Sequence, residues 1–322
     1  EGDPKAAEGG WATPELRATA LEAARRSIIL LKNDGDLLPL ARPPKTVAVI
    51  GAAARDAGDM MGSWGAKADR ADTPLFLDEL TARLSPLGAR VRFAEGCDDA
   101  CKTTDGFERA VRLAERSDLV VAVLGEPWYL TAESTSRTRL GLPNHQQELL
   151  DRLAATGKPI VLVTLAGRPM VMTEAWPKAR AILYAFSPGT MGARALVDVL
   201  VGEINPSGRL PMSLPRAVGQ LPFSYDMLPT GRPPSPGDDL AARYVDEAVT
   251  PFLPFGHGLS YTRFAYEALE VSTAQARPGE TVGVSVTVRN VGARGGREMV
   301  QLYVRDPVAS RSRPMRQFAG VA

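Results

Sequence analysis

Leu119-Val120-Val121-Ala122-Val123-Leu124, running into Gly125, and Ile160-Val161-Leu162-Val163-Thr164-Leu165, running into Ala166-Gly167, decide how this chain folds. Each run has strand length, is apolar at odd and even positions alike, and is rich in β-branched residues. That is the pattern of a central strand covered on both faces. Working outward, residues 47–50, 91–94 and 182–186 read as further strands. Between them, residues 74–84, 107–116, 146–155 and 191–201 carry apolar residues at helical spacing. Strand–helix alternation of this kind predicts an α/β fold, a mainly parallel sheet flanked by helices.

The flanks differ from this middle. Leu16, Ala20, Ala24, Ile28 and Leu31 recur at helical spacing with Glu15, Arg17, Glu22, Arg25 and Arg26 between them. This predicts a helix opened by Thr13-Pro14 and stopped near Asn33-Asp34-Gly35. Residues 206–215 read as a turn and a further strand, and residues 222–254, rich in Pro, Gly and Asp, as a long surface loop. Residues 264–271, 281–289 and 299–304 then alternate at period two, the start of an antiparallel β-sandwich. The expected organisation is a helical linker over 1–40, an α/β sandwich over 41–225, a connecting loop over 226–262 and a partial β-sandwich over 263–322.

The chain has 322 residues, 44% hydrophobic and 23% charged, with a net charge of +1. Such a composition supports a real core and gives no electrostatic reason to expect nucleic acid or an anionic membrane as partner. No apolar run approaches the roughly 20 residues of a membrane helix. The opening residues have neither the basic nor the apolar segment of a signal peptide.

Cys97 and Cys101 stand close together in Cys97-Asp98-Asp99-Ala100-Cys101. They read as free thiols in a loop, as a short-loop disulfide implying an oxidising compartment, or as part of a metal site. Zinc would want four ligands, and neither of the two histidines, His145 and His257, is near in sequence. Both histidines are expected in non-catalytic places, His145 on the surface at a helix entrance and His257 in a structural connection.

In parallel sheets the functional loops follow the carboxyl ends of the strands. The richest is Gly125-Glu126-Pro127-Trp128-Tyr129-Leu130-Thr131-Ala132-Glu133-Ser134-Thr135-Ser136-Arg137-Thr138-Arg139-Leu140-Gly141-Leu142-Pro143. A carboxyl group on such a loop serves as a general acid when burial or a neighbouring negative charge raises its pKa. Trp and Tyr faces can stack on the apolar face of a sugar. A solvated loop with an incidental carboxylate is the competing reading.

This loop resembles the acid/base loop of family 3 glycoside hydrolases, in which a Glu is followed four residues on by Arg and then by a Leu-Pro helix entrance. Here that is Glu133, Arg137 and Leu142-Pro143. The resemblance extends through SIILLKNDGDLLPL at residues 27–40, Met61-Gly62-Ser63-Trp64, NPSGRLPMSLP at 205–215, LPFGHGLSYT at 253–262 and RNVGARGG at 289–296. It implies the C-terminal α/β sandwich of a retaining, exo-acting β-glycosidase, a β-glucosidase or β-xylosidase, plus part of a fibronectin type III-like domain. Such an enzyme releases terminal non-reducing β-D-glycosyl residues from a β-glucoside or oligosaccharide.

By that resemblance Glu133 is the general acid/base, with Glu126 its rival because it directly follows the strand. Trp128 and Trp64 are candidate walls of an outer sugar subsite. Arg137 is a further substrate-side residue, expected to order the loop or pair with Glu133. The family's nucleophile is an Asp, usually within Ser-Asp-Trp, on a preceding (β/α)8 barrel. Neither that motif nor the barrel's Lys-His motif occurs here, so the missing N-terminal barrel is an expected partner. No cofactor is implied. The relatives' habits point to a periplasmic or secreted enzyme.

Two other classes compete. One is a non-catalytic carbohydrate-binding or interaction module derived from such an enzyme. The other is a nucleotide-binding protein, disfavoured because the first strand ends in Gly51-Ala52-Ala53-Ala54-Arg55, which lacks Gly-x-Gly-x-x-Gly. Gly189-Thr190-Met191-Gly192 likewise lacks the Gly-Lys-Ser/Thr of a P-loop, and no Gly-x-Ser-x-Gly elbow is present.

Overall fold

The computed structural model describes residues 13–65, 69–229, 231–232 and 241–322. Helix α1 (Pro14–Ser27) begins where Thr13 caps it, its hydroxyl accepting from Leu16 N at 3.3 Å, with Pro14 in the first turn. The apolar spacing predicts a helix running on to Leu31, but the chain leaves the helix at Ser27 and continues as strand β1 (Ile29–Asn33). The reason is local: Ile28, Ile29, Leu30 and Leu31 are all buried, on every side, and such a run suits a sheet covered on both faces. The sheet thus draws a strand from the stretch expected to be a helical linker.

The elements then alternate: β2 (Thr46–Ile50), α2 (Ala57–Met61), α3 (Phe76–Leu84), β3 (Arg90–Ala94), α4 (Phe107–Glu115), β4 (Leu119–Gly125), α5 (Gln146–Ala154), β5 (Ile160–Leu165), β6 (Ala181–Phe186) and α6 (Gly192–Val201). The sheet order is β1-β6-β5-β4-β2-β3. All neighbours are parallel except the β1–β6 pair, where Ile29 lies opposite Tyr184. Along β4, Leu119, Val121 and Val123 face one core with α1, α3 and α6, while Val120, Ala122 and Leu124 face the other with α4 and α5. Both faces are dry, so period two is invisible in the sequence although the strand obeys it.

Residues 206–215, read as a turn and a strand, form no strand; their extended part makes one isolated bridge, Leu214 to Leu253. Short α2, inside the loop after β2, was not anticipated. At the C-terminal side β7 (Phe264–Val271) pairs antiparallel with β8 (Val284–Asn290), and β9 (Gln301–Val304) with β10 (Gln317–Val321). These are two small sheets. His257 reaches back to the α/β core, its Nε2 lying 3.0 Å from Leu31 O.

Candidate active site

β2 and β4 are neighbours, yet the chain proceeds from β2 outward to β3 and only then returns to β4 on the other side. This reversal makes the carboxyl ends of β2 and β4 the sheet's topological switch point, where a crevice opens. β2 runs into, and β4 ends in, a glycine with positive φ, Gly51 (+121°) and Gly125 (+148°). A Cβ on Gly125 would lie 1.7 Å from Leu165 O, and one on Gly51 2.0 Å from Val123 O. Only glycine lets the chain turn off the sheet this close to its neighbour.

The loop that leaves β4 is tied at its base by Gln146, the first residue of α5. Gly125 N donates to Gln146 Oε1, and Gln146 Nε2 donates to Gly125 O, both at 2.8 Å and both buried. Glu126 comes next. Its side chain is fully buried between Arg137 and Arg168: Arg137 Nη1 donates to Oε1, and Arg168 Nε to Oε2 at 3.1 Å. Arg168 Nη2 also donates to Leu130 O at 2.7 Å, and Arg137 Nη2 to Gly141 O at 3.2 Å. Glu126 therefore pins the near and far limbs of its own loop to each other and to the loop after β5. Its two oxygens are engaged by guanidinium groups and face away from solvent.

Glu133 lies at the loop's exposed crest, beside Ser134 in the left-handed region (φ +61°). Arg137, a substrate-side candidate expected to order the loop or pair with Glu133, pairs with Glu126. Trp128 is half-buried and Trp64 is 78% exposed. The loops bearing the two tryptophans meet: Ser63 Oγ donates to Trp128 O at 2.5 Å and lies 3.0 Å from Thr131 Oγ1. Trp128 N donates to Asp59 Oδ1 at 2.8 Å, and the Arg70 guanidinium sits 5.0 Å from the Trp128 ring centroid.

Asp59 belongs to the site and was not foreseen. It is buried at the start of α2, capped by Asp56 Oδ1 accepting Asp59 N at 3.0 Å. Burial pushes its pKa up to about 7; the Trp128 N–H opposes this, and the charges of Asp56 and Asp99 add to it. Tyr129 donates to Asp99 Oδ2 at 3.0 Å, and burial raises its pKa to about 12, so the hydroxyl keeps its proton. Asp99 lies between Cys97 and Cys101, which form a disulfide. Of the readings left open for the cysteine pair, the structure selects that one.

His145 is half-exposed, its Nδ1 3.0 Å from Glu148 Oε2. Among the described residues no group of three His, Cys, Asp or Glu side chains could hold a metal ion, and no helix is long and apolar enough to cross a membrane. What the arrangement offers is an exposed carboxyl group on the loop that also carries Trp128 and meets the loop of Trp64, a loop fastened from beneath. A carboxyl in that setting can exchange a proton with a bound ligand. Asp59 and Arg168 lie in strand-end loops where function is expected, residues 51–73 and 167–172, but neither they nor Asp99 stood out as individual residues, because each reaches the loop from a different strand end.

Residues 28–261 match the family described as the glycosyl hydrolase family 3 C-terminal domain. The chain is 39% identical over 326 residues to a periplasmic β-glucosidase of Salmonella typhimurium, covering 94% of this chain and 42% of that protein. It is 36% identical over 317 residues to a β-xylosidase of Formosa agariphila, covering 96% of this chain and 42% of that one. Its structure superposes with a TM-score of 0.90 on a β-glucosidase from Listeria innocua in complex with isofagomine. There the identity is 31%, with 97% of this chain and 43% of that chain covered. The chain thus spans about two fifths of the length of the curated relatives it matches.

Proposed function

This chain belongs to glycoside hydrolase family 3, and on that premise we propose that it is the acid/base-bearing part of a retaining, exo-acting β-glycosidase. The proposed substrate is a terminal non-reducing β-D-glucosyl unit of a glucoside or oligosaccharide. In this reading Glu133 gives its proton to the glycosidic oxygen as that bond breaks. It then takes a proton from the water that releases the sugar. The nucleophilic carboxylate comes from a barrel outside these 322 residues, held about 5–5.5 Å from Glu133 as retention of configuration requires.

The single observation that carries the assignment is the contrast between the loop's two carboxylates. Glu126 is fully buried and holds two arginines, whereas Glu133 is exposed at the crest. A group that must alternately protonate a sugar oxygen and deprotonate water has to be reachable and free. Trp128 and Trp64 would wall the outer sugar subsite. Arg137, through Glu126 and Gly141 O, would set the curvature of the loop rather than touch the sugar.

The disulfide supports a periplasmic or secreted setting, where such bonds persist. The strand pairs β7–β8 and β9–β10 are proposed as part of a fibronectin type III-like domain after residue 262, with the α/β sandwich and its connecting loop before it.

The test is Glu133→Gln in the full-length enzyme, assayed on aryl β-glucosides of graded leaving-group acidity. Substrates with poor leaving groups should lose about 10²–10⁴-fold in kcat/KM, while activated ones such as 2,4-dinitrophenyl β-glucoside lose far less. Equal loss across the series would overturn the acid/base role. No loss anywhere would favour a binding or interaction module.

A further inference from the structure

We infer that the Cys97–Cys101 disulfide is a positioning device for the acid/base loop, holding Glu133 in place through both shoulders of that loop; this rests on the role of Glu133 proposed above. The near shoulder is Tyr129, whose hydroxyl donates to Asp99 Oδ2 at 3.0 Å. The far shoulder is the entrance to α5, where Asn144 Nδ2 donates to Ala100 O at 2.6 Å and His145 N to Cys101 O at 3.1 Å. All three acceptors belong to Asp99, Ala100 and Cys101, the residues that the disulfide closes into a small ring. Glu133 lies between the two shoulders in sequence, inside the turn that Thr135 N closes onto Ala132 O at 3.1 Å.

The ring is built to present those acceptors. Cys101 N donates to Asp98 O at 2.9 Å, Lys102 N to Asp98 Oδ1 at 2.7 Å and Ala100 N to Asp99 Oδ1 at 2.7 Å. Cys101 is in the left-handed region (φ +53°), as is Asn144 opposite it (φ +48°). Non-glycine residues hold that conformation where the surroundings over-determine it. Both cysteines are buried in the core cluster with Phe107, Leu149 and Leu150 of α4 and α5. The cross-link therefore bolts an otherwise irregular connection between β3 and α4 into the core and turns its carbonyls toward the loop. Gln146 fastens the base of that loop and Glu126, through Arg137 and Arg168, its interior; the ring adds the ties at Tyr129 and at the entrance to α5.

A carboxyl group that must meet a glycosidic oxygen tolerates little displacement. Loosening the shoulders should therefore damage proton transfer more than binding. The experiment compares wild type, the double variant Cys97→Ala/Cys101→Ala, and Tyr129→Phe/Asn144→Ala, which keeps the disulfide but cuts one tether at each shoulder. Each is assayed as the full-length enzyme on the graded aryl β-glucosides, beside Glu133→Gln.

The expected result is a loss of about tenfold in kcat/KM on poor leaving groups and less than about twofold on 2,4-dinitrophenyl β-glucoside, in both double variants. A merely structural staple would lower both substrate classes alike, so a flat series, lowered or not, overturns the inference. If the cysteine variant does not fold, the Tyr129/Asn144 variant decides alone. If Glu133→Gln itself shows no leaving-group dependence, the acid/base reading has failed. If it does and the two double variants stay flat, only the positioning role has failed.

Discussion

Glu126 and Glu133 stand on one loop in opposite environments: the carboxylate of Glu126 is fully buried between Arg137 and Arg168, and that of Glu133 is exposed at the crest. The division of labour is physical. A buried carboxylate with two guanidinium partners orders a loop, and the second carboxylate, outside that network, is the one proposed for chemistry.

Stability should separate the two. Glu126→Ala leaves two largely buried guanidinium groups without their anion, a change that costs about 3–5 kcal/mol. Glu126→Gln keeps the shape and one acceptor and should cost less. Glu133→Ala, away from any packed contact, should stay within about 0.5 kcal/mol of wild type. Urea unfolding midpoints check the ranking; equal effects at both positions would contradict the environments described.

Asp59 predicts a pH dependence with a definite sign. Its folded pKa of about 7 lies above that of an unfolded aspartate, because burial penalises the charged form. Between about pH 4 and 7 the folded state holds a proton that the unfolded chain has released, so stability falls as pH rises through that window and levels off above it. At roughly 1.4 kcal/mol for each pH unit, the decline is at most about 4 kcal/mol. Asp59→Asn can still accept the Trp128 N–H but cannot ionise. It should match wild type near pH 4 and exceed it at pH 8. Thermal midpoints measured across the range would show the wild-type slope and its disappearance; parallel curves would count against a protonated Asp59.

These residues also show what was legible in the sequence. Four of the five parallel strands could be found because a strand buried on both faces must be apolar at every position, and few other segments are; the edge strand β3 showed instead the alternation of Arg90 and Arg92 with Val91 and Phe93. The same rule hid β1: Ile29, Leu30 and Leu31 also continue the apolar stripe of α1, and nothing local distinguishes one more helical turn from an edge strand. The further strand expected within residues 206–215 failed because an extended segment needs a partner, and there the partner supplies one bridge at Leu253. At the site, the loop after β4 was identifiable because its chemistry-bearing residues are contiguous. Asp59, Arg168 and Asp99 were not, because the sheet brings them to Trp128, Glu126 and Tyr129 from three other strand ends.

Asp198 tests a second long-range construction. It is fully buried in α6 and accepts from Arg25 of α1 (2.9 and 2.6 Å) and Arg83 of α3 (3.0 Å), tying three helices over one face of the sheet. Asp198→Ala takes the buried anion from Arg25, while Arg83 keeps its pair with Glu203, and should destabilise by about 3 kcal/mol. Arg26→Ala, which removes only the exposed pair with Glu22, should cost under about 1 kcal/mol. Comparable losses from the two variants would mean that the buried carboxylate does no more than a surface pair.

Gly125 joins fold to function most directly. Its φ of +148° is one that side-chain-bearing residues rarely adopt, and a Cβ there would sit 1.7 Å from Leu165 O, a backbone atom of the neighbouring central strand. Gly125→Ala must therefore either break the β4–β5 ladder at its carboxyl end or swing the departing loop away from the sheet. Swinging the loop would pull Gly125 from Gln146 and Glu126 from Arg168, since both bonds start at that turn. Full-length Gly125→Ala should lose several kcal/mol of stability if the ladder breaks. If the loop swings instead, hydrolysis of poor-leaving-group glucosides should fall about a hundredfold while the fold is retained. Gly157→Ala is the comparison: it also has positive φ (+70°), but nothing lies within 4 Å of its Cβ position and it is remote from the site. It should cost about 1 kcal/mol from backbone conformation alone and leave the leaving-group series unchanged. Paired circular dichroism melts and kinetics on both variants separate the outcomes, and a Gly125→Ala enzyme with wild-type stability and activity would contradict the geometry of the turn.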